Sequence, residues 1–276
     1  MKSANLLLIL YCYLTVPGLS QSTLSPQASH YLSSGAYSKN FSDAFSSVAN
    51  TAALASIKNF TAGVYGERRF MLAEIGLYSS VIALPTKSGN FALTTQYFGY
   101  KAYNETEISI GYGRKVAEKI DVGARFNYHS VRIPAYGNAS ALNFDIGAII
   151  HITEQLSSGI SVHNPFNSKL GKNSDERLNA VYRAGLGYEF SANFFTAVEV
   201  IKEQGTNTSI HAGFQYKPIK QLFARAGIVT GNTSYYFGAG YLYKDLRLDV
   251  TVSIHQQLGL SPGLLLLYQF KKNKDE

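Results

Sequence analysis

Near the end of the chain, Pro262-Gly263-Leu264-Leu265-Leu266-Leu267-Tyr268-Gln269-Phe270 reads as one strand with two unlike faces. At a period of two, Leu264, Leu266, Tyr268 and Phe270 share one face, and Gly263, Leu265, Leu267 and Gln269 share the other. Only the charged stretch 271–276 follows. The segment alone fits either of two structures: the closing strand of an outer-membrane barrel, or a core strand of a soluble sandwich. In hydrocarbon such a strand must pair with the first strand, because no water satisfies an open edge.

Strands upstream decide between the two. Residues 120–129 set Ile120, Val122, Ala124, Phe126 and Tyr128 against Asp121, Gly123, Arg125, Asn127 and His129. The same alternation returns at 182–190, 208–217 and 246–255. Strands are expected at 59–67, 70–82, 89–99, 104–115, 118–129, 139–152, 155–164, 178–190, 193–203, 206–216, 220–230, 234–243, 246–255 and 262–270, about fourteen in all, an even number as bacterial barrels have. Links are expected to alternate between longer outside loops (130–138, 164–177, 256–261) and tight periplasmic turns (153–154, 191–192, 244–245), which puts both chain termini on the periplasmic side.

Composition agrees. The 276 residues include only 16% charged side chains, with 20 Tyr, 16 Phe, 24 Gly and no Trp, and mean hydropathy is −0.05. Alternation averages polar and apolar residues to near zero, whereas a helical membrane protein would score far higher. The net charge of +7 contains no Lys/Arg run of the kind that marks nucleic-acid binding.

The first residues read as an export signal, residues 1–20. Lys2 supplies the positive start, Leu6 to Tyr13 the apolar centre, and Gly18-Leu19-Ser20 a small-x-small cleavage site. Cys12, the one cysteine, falls inside this segment, so the exported chain is expected to hold no disulfide and no thiolate site. Residues 21–58 form the expected lead-in and plug, 59–270 the barrel, and 271–276 a charged tail. Within the lead-in, residues 42–55 break the alternation. They read as a short helix capped by Ser42 or Asp43, with Phe45, Val48, Ala52 and Leu54 as its apolar stripe.

A charge on the lipid face costs roughly 2–4 kcal/mol at the midplane. Asp121, Arg125, Asp145, Arg183, Glu189, Arg225, Arg247 and Asp249 are therefore expected to face inward as lumen polar groups, with Glu199 among them. Tyr128, Tyr188, Tyr216, Tyr235 and Tyr243 are expected to face outward as an interfacial girdle. Leu265, Leu267, Phe195 and Phe223 fall inward by parity, giving a partly apolar interior. Buried charges of both signs need partners, and ion pairs that hold an inner segment are the favoured reading over a polar conduit.

Chemistry is sparse. His129, His151, His211 and His255 lie on polar faces of strands, but no Gly-x-Ser-x-Gly turn presents a nucleophile. No histidine spacing or carboxylate cluster points to a metal, and no cofactor is expected. Gly111, Gly113, Gly185 and Gly187 sit inside strands, where close packing against the inner segment explains them better than nucleotide binding.

With this pattern the sequence resembles the FadL superfamily of outer-membrane barrels, and more narrowly its PorV/PorQ-like branch from Bacteroidota. The residues that carry the resemblance are Asn50-Thr51-Ala52-Ala53-Leu54-Ala55, Ala83-Leu84-Pro85-Thr86-Lys87-Ser88-Gly89, Phe98-Gly99-Tyr100, Asp175-Glu176-Arg177-Leu178, Leu222-Phe223-Ala224-Arg225-Ala226-Gly227-Ile228 and His255-Gln256-Gln257-Leu258-Gly259-Leu260-Ser261-Pro262. The resemblance implies a fourteen-stranded transmembrane barrel whose N-terminal segment folds inward as a plug, with Asn50, Thr51 and Ala52 in its hatch element. Thr51 and Ala53 stand where the family has Pro and Gly. It further implies a non-enzymatic accessory barrel of the Gram-negative outer membrane, serving type IX secretion or surface-protein assembly. Its partners would be membrane lipid and other outer-membrane or secreted proteins. The alternative within the superfamily is a transporter of hydrophobic small molecules such as long-chain fatty acids, with a lipophilic small molecule as ligand. An outer-membrane lipid hydrolase is the third reading.

Overall fold

The computed structural model describes residues 31, 35–134, 137–171, 176–231 and 234–270. The expected signal segment, most of the lead-in before Gly35 and the charged tail lie outside them. Fourteen strands form one closed antiparallel barrel in chain order. They are β1 (Phe60–Arg68), β2 (Gly76–Thr86), β3 (Gly89–Tyr100), β4 (Tyr103–Ala117), β5 (Ile120–Ile133), β6 (Gly137–His151) and β7 (Leu156–His163). The second half comprises β8 (Val181–Ser191), β9 (Phe194–Glu203), β10 (Ser209–Tyr216), β11 (Leu222–Val229), β12 (Ser234–Tyr243), β13 (Leu246–His255) and β14 (Gly259–Phe270).

Closure occurs where the last strand meets the first: Phe60 pairs with Phe270, and the ladder runs to Glu67 opposite Gly263. Phe60 and Phe270 stack edge to face at 4.9 Å across this seam. Period-two alternation then sorts the side chains. Leu265 and Leu267 are buried inside, whereas Leu264, Leu266, Tyr268 and Phe270 are exposed outside. The outward face repeats this around the wall with Val64, Ile82, Leu93, Ile110, Phe126, Ile146, Ile160 and Val250, all exposed. Tyr128, Tyr188, Tyr216, Tyr235 and Tyr243 are exposed on the same face.

Several boundaries differ from expectation. The second strand begins at Gly76 rather than residue 70, because residues 69–75 form two short 3₁₀ turns, Arg69–Met71 and Ala73–Ile75. Phe70 and Met71 there take positive φ values of 50° and 62°, which ends strand geometry. The expected long links at 130–138 and 256–261 shrink, since β5 runs to Ile133, β6 starts at Gly137 and β14 starts at Gly259. The long link that remains is residues 164–180. Leu170 and Leu178 from this loop pack on Val131 and Ala141, which face inward at the barrel end opposite Phe60 and Phe270. Leu170 and Leu178 therefore fix the described parts of the loop to the wall at that end. At the other end the turns are tight: Lys244-Asp245 joins β12 to β13, with Lys244 at φ 55° as a two-residue hairpin requires.

Residues 42–55 are not one helix. Two 3₁₀ helices, Ala44–Val48 and Thr51–Ser56, stand in its place. Asp43 caps the first through a capping box with Ser46, and Asn50 caps the second by accepting from the Ala52 N–H. Asn50 breaks the run because its side chain is a better cap than a helix-interior residue.

An arginine placed on the outward face of the closing strand tests the face assignment. Leu266→Arg is expected to lower the free energy of folding into vesicles by about 2–4 kcal/mol, measured by denaturant titration, while Gln269→Arg on the inward side costs less.

Candidate functional site: the barrel interior

The inner segment, residues 35–57, lies against the inward-facing side chains of nearly the whole wall. Asp43 accepts from Arg247 Nη2 at 2.9 Å and from Arg225 Nη2 at 3.2 Å. Arg247 Nε also lies 3.0 Å from Asp249 Oδ1, an ion pair without an aligned hydrogen bond. The Tyr31 hydroxyl donates to Asp249 Oδ2 at 2.9 Å. Burial works against the Asp43 carboxylate, but the Arg247 and Arg225 guanidinium groups overcome it and hold the carboxyl below its ordinary range.

Two more carboxylates grip the segment. Glu199 accepts from the Tyr37 hydroxyl at 2.5 Å and pairs with Arg183 at 3.3 Å. Glu189 accepts from Ser38 Oγ at 2.6 Å, from the Lys39 N–H at 2.8 Å and from the Asn40 side chain. On the opposite wall the anchors are neutral. Asn50 Nδ2 donates to the carbonyls of Ala148 (3.2 Å) and Ile160 (3.1 Å), and Ser161 Oγ donates to the Ala49 carbonyl at 2.7 Å. Asn90 Nδ2 donates to the carbonyls of Leu54 at 2.6 Å and Ile57 at 2.8 Å.

Close approach needs a wall without side chains. Gly113, Gly123 and Gly147 are register partners on β4, β5 and β6, and the second 3₁₀ helix lies directly on them. A Cβ on Gly113 would come within 2.6 Å of Leu54 Cβ, and one on Gly123 would strike the Thr51 backbone. Gly159, Gly185 and Gly187 likewise make room for Tyr37. The strand glycines thus pack against the inner segment.

The eight sequence-selected polar residues separate into two groups. Arg225, Arg247 and Asp249 join around Asp43, and Arg183 and Glu189 act through Glu199 and residues 38–40. Asp121, Arg125 and Asp145 stand apart on β5 and β6. Arg125 Nη2 and His163 Nδ1 each reach Asp145 at 2.6 Å. Asp121 Oδ2 lies 2.7 Å from His151 Nε2, whose Nδ1 lies 2.9 Å from Ser157 Oγ. This acid–imidazole–hydroxyl order is that of a nucleophilic relay. Ser157, however, is buried and sits in a strand paired on both sides, with His151 and with Gly187. The arrangement ties β5, β6 and β7 together at the end near Phe60 and Phe270.

Asn50 and Thr51 work through a cap and through backbone contact, and Ala52 is fully buried. In the sequence Asp43 reads only as a cap. The signal for its larger role was two inward guanidiniums, at 225 and 247, with a single nearby carboxylate, Asp249, on their own strands.

The interior is two-sided. Leu265, Leu267, Tyr65, Val81, Ala83, Ala92, Leu77 and Phe98 line β14, β1, β2 and β3, and Phe45, Leu54 and Ile57 of the inner segment join this apolar cluster. On β4–β7 the wall is polar, with Glu105, Glu107, Asn127, His129, Asn143 and Asp145 buried. On the outer face of the apolar side, a groove of about 470 Å³ runs over Gly66, Ser80 and Thr95, between Val64, Tyr78, Tyr97, Leu264 and Leu266. The Ser80 and Thr95 hydroxyls satisfy each other at 2.7 Å.

No protein-family model and no curated protein matches this chain. Solved structures do. The Pseudomonas putida toluene transporter TodX superposes with a TM-score of 0.66 at 12% identity, over 87% of this chain and 98% of that one. The Ralstonia pickettii toluene transporter TbuX gives 0.63 at 10% identity, over 83% and 94%. A Pseudomonas aeruginosa FadL homologue gives 0.60 at 14% identity, over 83% and 95%. The likeness is one of fold. At these identities it shows a shared closed-barrel fold and gives no sequence support to the PorV/PorQ branch.

Removing the central carboxylate tests the lock. Asp43→Ala takes the shared carboxylate from two buried guanidiniums, leaving Arg247 with Asp249 and Arg225 with the Tyr31 carbonyl. It is expected to cost about 3–5 kcal/mol, with faster proteolysis within residues 35–58 of the folded barrel. Because the folded carboxyl titrates below its unfolded value of about 3.9, the lock contributes fully above that pH and is lost as pH falls through the lowered value. A proteolysis profile flat from pH 7 to pH 4 and rising below is the expected result. Gly123→Leu, which sets a side chain into Thr51, should expose the same segment without changing any charge.

Proposed function

We propose that this protein is an outer-membrane channel for small hydrophobic molecules, closed at rest by its N-terminal inner segment acting as a plug. The observation that carries the reading is the apolar cluster shared by the β14–β3 wall and Phe45, Leu54 and Ile57 of the segment. Displacing the segment from that wall would uncover the apolar surface of this cluster inside the barrel. An apolar solute gains about 25 cal/mol per Å² along such a surface, whereas an aqueous pore offers it nothing. The fold likeness to barrels titled toluene transporter and monoaromatic hydrocarbon channel supports the same reading.

Placement in an outer membrane rests on the closed barrel, its exposed outward band of Leu, Ile, Val and Phe, and the outward tyrosines. Export through the segment 1–20 belongs to the same proposal. The relatives of known fold are titled as channels and transporters, so the hydrophobic-solute reading is better supported than an accessory role in type IX secretion. Within the fold the carboxylates and guanidiniums hold the plug, and the Asp121–His151–Ser157 contact braces the wall. Neither asks for catalysis.

The test is uptake by a Gram-negative host that lacks its own hydrophobic-solute channel. Expression is expected to raise the initial uptake of toluene and of a long-chain fatty acid several-fold over vector alone, and Asp43→Ala should raise it further if the folded barrel persists. Unchanged uptake with folded protein in the membrane overturns the reading. Purification in mild detergent with secreted or outer-membrane proteins in fixed ratio, and with no lipophile, would favour the accessory role instead.

A further inference from the structure

The link between β10 and β11, residues 217–221, is the longest at the barrel end that carries Phe60 and Phe270. Its two lysines part. Lys217 turns inward: its ammonium donates to the Asn40 carbonyl at 3.0 Å and lies 3.9 Å from the centre of the Phe41 ring. Lys220 stays exposed, as does Ile219 beside it. The Gln221 carbonyl accepts from the Leu242 N–H at 2.7 Å, which ties this link to the β12–β13 hairpin. There Lys244 is also exposed, with its ammonium 5.5 Å from the centre of the Tyr243 ring, and half-buried Asp245 is the carboxylate of the turn. Two exposed ammonium groups thus stand on neighbouring turns at one edge of β11 and β12.

Above them the outward face of the barrel is hollowed. A groove of about 460 Å³ runs over Ala212 and Ala226, between Val198, Phe214, Ile228 and Phe237. Register explains its shape. Phe214, Ala226 and Phe237 face outward in one row, and Tyr216, Ala224 and Ala239 follow in the next row toward the lysines. Methyl groups floor the trough and rings form its sides. On the β10 side the Phe194 ring backs both Phe214 and Tyr216, at 6.1 Å from each.

This face borders hydrocarbon, so an alkyl chain and not water fills the trough. Lipid tails are as apolar as the wall, so packing there positions a lipid without selecting among lipids. Selection comes from charge, because an anionic headgroup at the level of the turns gains from each lysine near it. A diacyl lipid with a net negative headgroup matches both features.

We infer that the β9–β12 face binds an anionic phospholipid of the adjoining leaflet, with its phosphate between Lys220 and Lys244 and one acyl chain in the trough over Ala224 and Ala226. The inference needs the barrel to lie in a bilayer and is independent of the solute that passes through it.

Native mass spectrometry tests it, on the purified full barrel titrated in neutral detergent with phosphatidylglycerol or phosphatidylcholine of the same acyl chains. Phosphatidylglycerol is expected to bind at least about tenfold more tightly, the scale of two lysines near an anionic headgroup. Lys220→Gln combined with Lys244→Gln should erase that preference. Lys87→Gln combined with Lys119→Gln removes the same charge from other turns of the same rim and should leave it intact. Ala226→Leu, which fills the trough, should weaken both lipids alike. Heat-modified gel migration verifies that each variant is folded. Equal binding of the two lipids, a preference that falls as far with either lysine pair, or a filled trough that changes nothing overturns the inference. None of these outcomes touches the uptake measurement, so the channel reading stands or falls separately.

Discussion

The whole architecture depends on pairing the free edges of its first and last strands. A strand bordering hydrocarbon cannot leave its N–H and C=O groups to water, so the β1–β14 ladder is obligatory rather than one contact among many. Once it forms, fourteen strands enclose a space of fixed perimeter. Parity then sends every second side chain into that space. Charges excluded from the lipid face, such as Arg225, Arg247 and Asp249, have nowhere else to go.

That enclosure creates the problem the inner segment solves. Guanidiniums and carboxylates in a closed interior require partners, and the wall supplies only some of them. Asp43 answers Arg225 and Arg247, Tyr37 reaches Glu199, and residues 38–40 answer Glu189. On the other side, neutral caps and three glycines in one register row let backbone lie on backbone. The segment is therefore held by charge on one side and by shape on the other. Its apolar residues meet the wall that an apolar solute would follow.

The division of the interior into an apolar β14–β3 side and a polar β4–β7 side makes function a question of what lies between them. The residues of the apolar side are packed together with the segment. The polar side is partly self-satisfied, as at Arg125–Asp145–His163, and partly not, as at Asn127. Leu170 and Leu178, from the link between β7 and β8, pack on Val131 and Ala141 at the end opposite Phe60 and Phe270.

Alternation was enough to determine the strands, their number, the face of nearly every charged residue, and the outward tyrosines, because a period of two is a local property that survives without tertiary information. The boundary at Gly76 was not legible, since positive φ at Phe70 and Met71 leaves no mark on hydropathy. Nor was the break of residues 42–55 into two 3₁₀ helices, where Asn50 serves strands β6 and β7 as well as its own turn. Parity says that Asp121, His151 and Asp43 face inward, but not which neighbour each one meets. Those pairings depend on register across the closed ladder and on the path of the inner segment, and only the tertiary structure decided them.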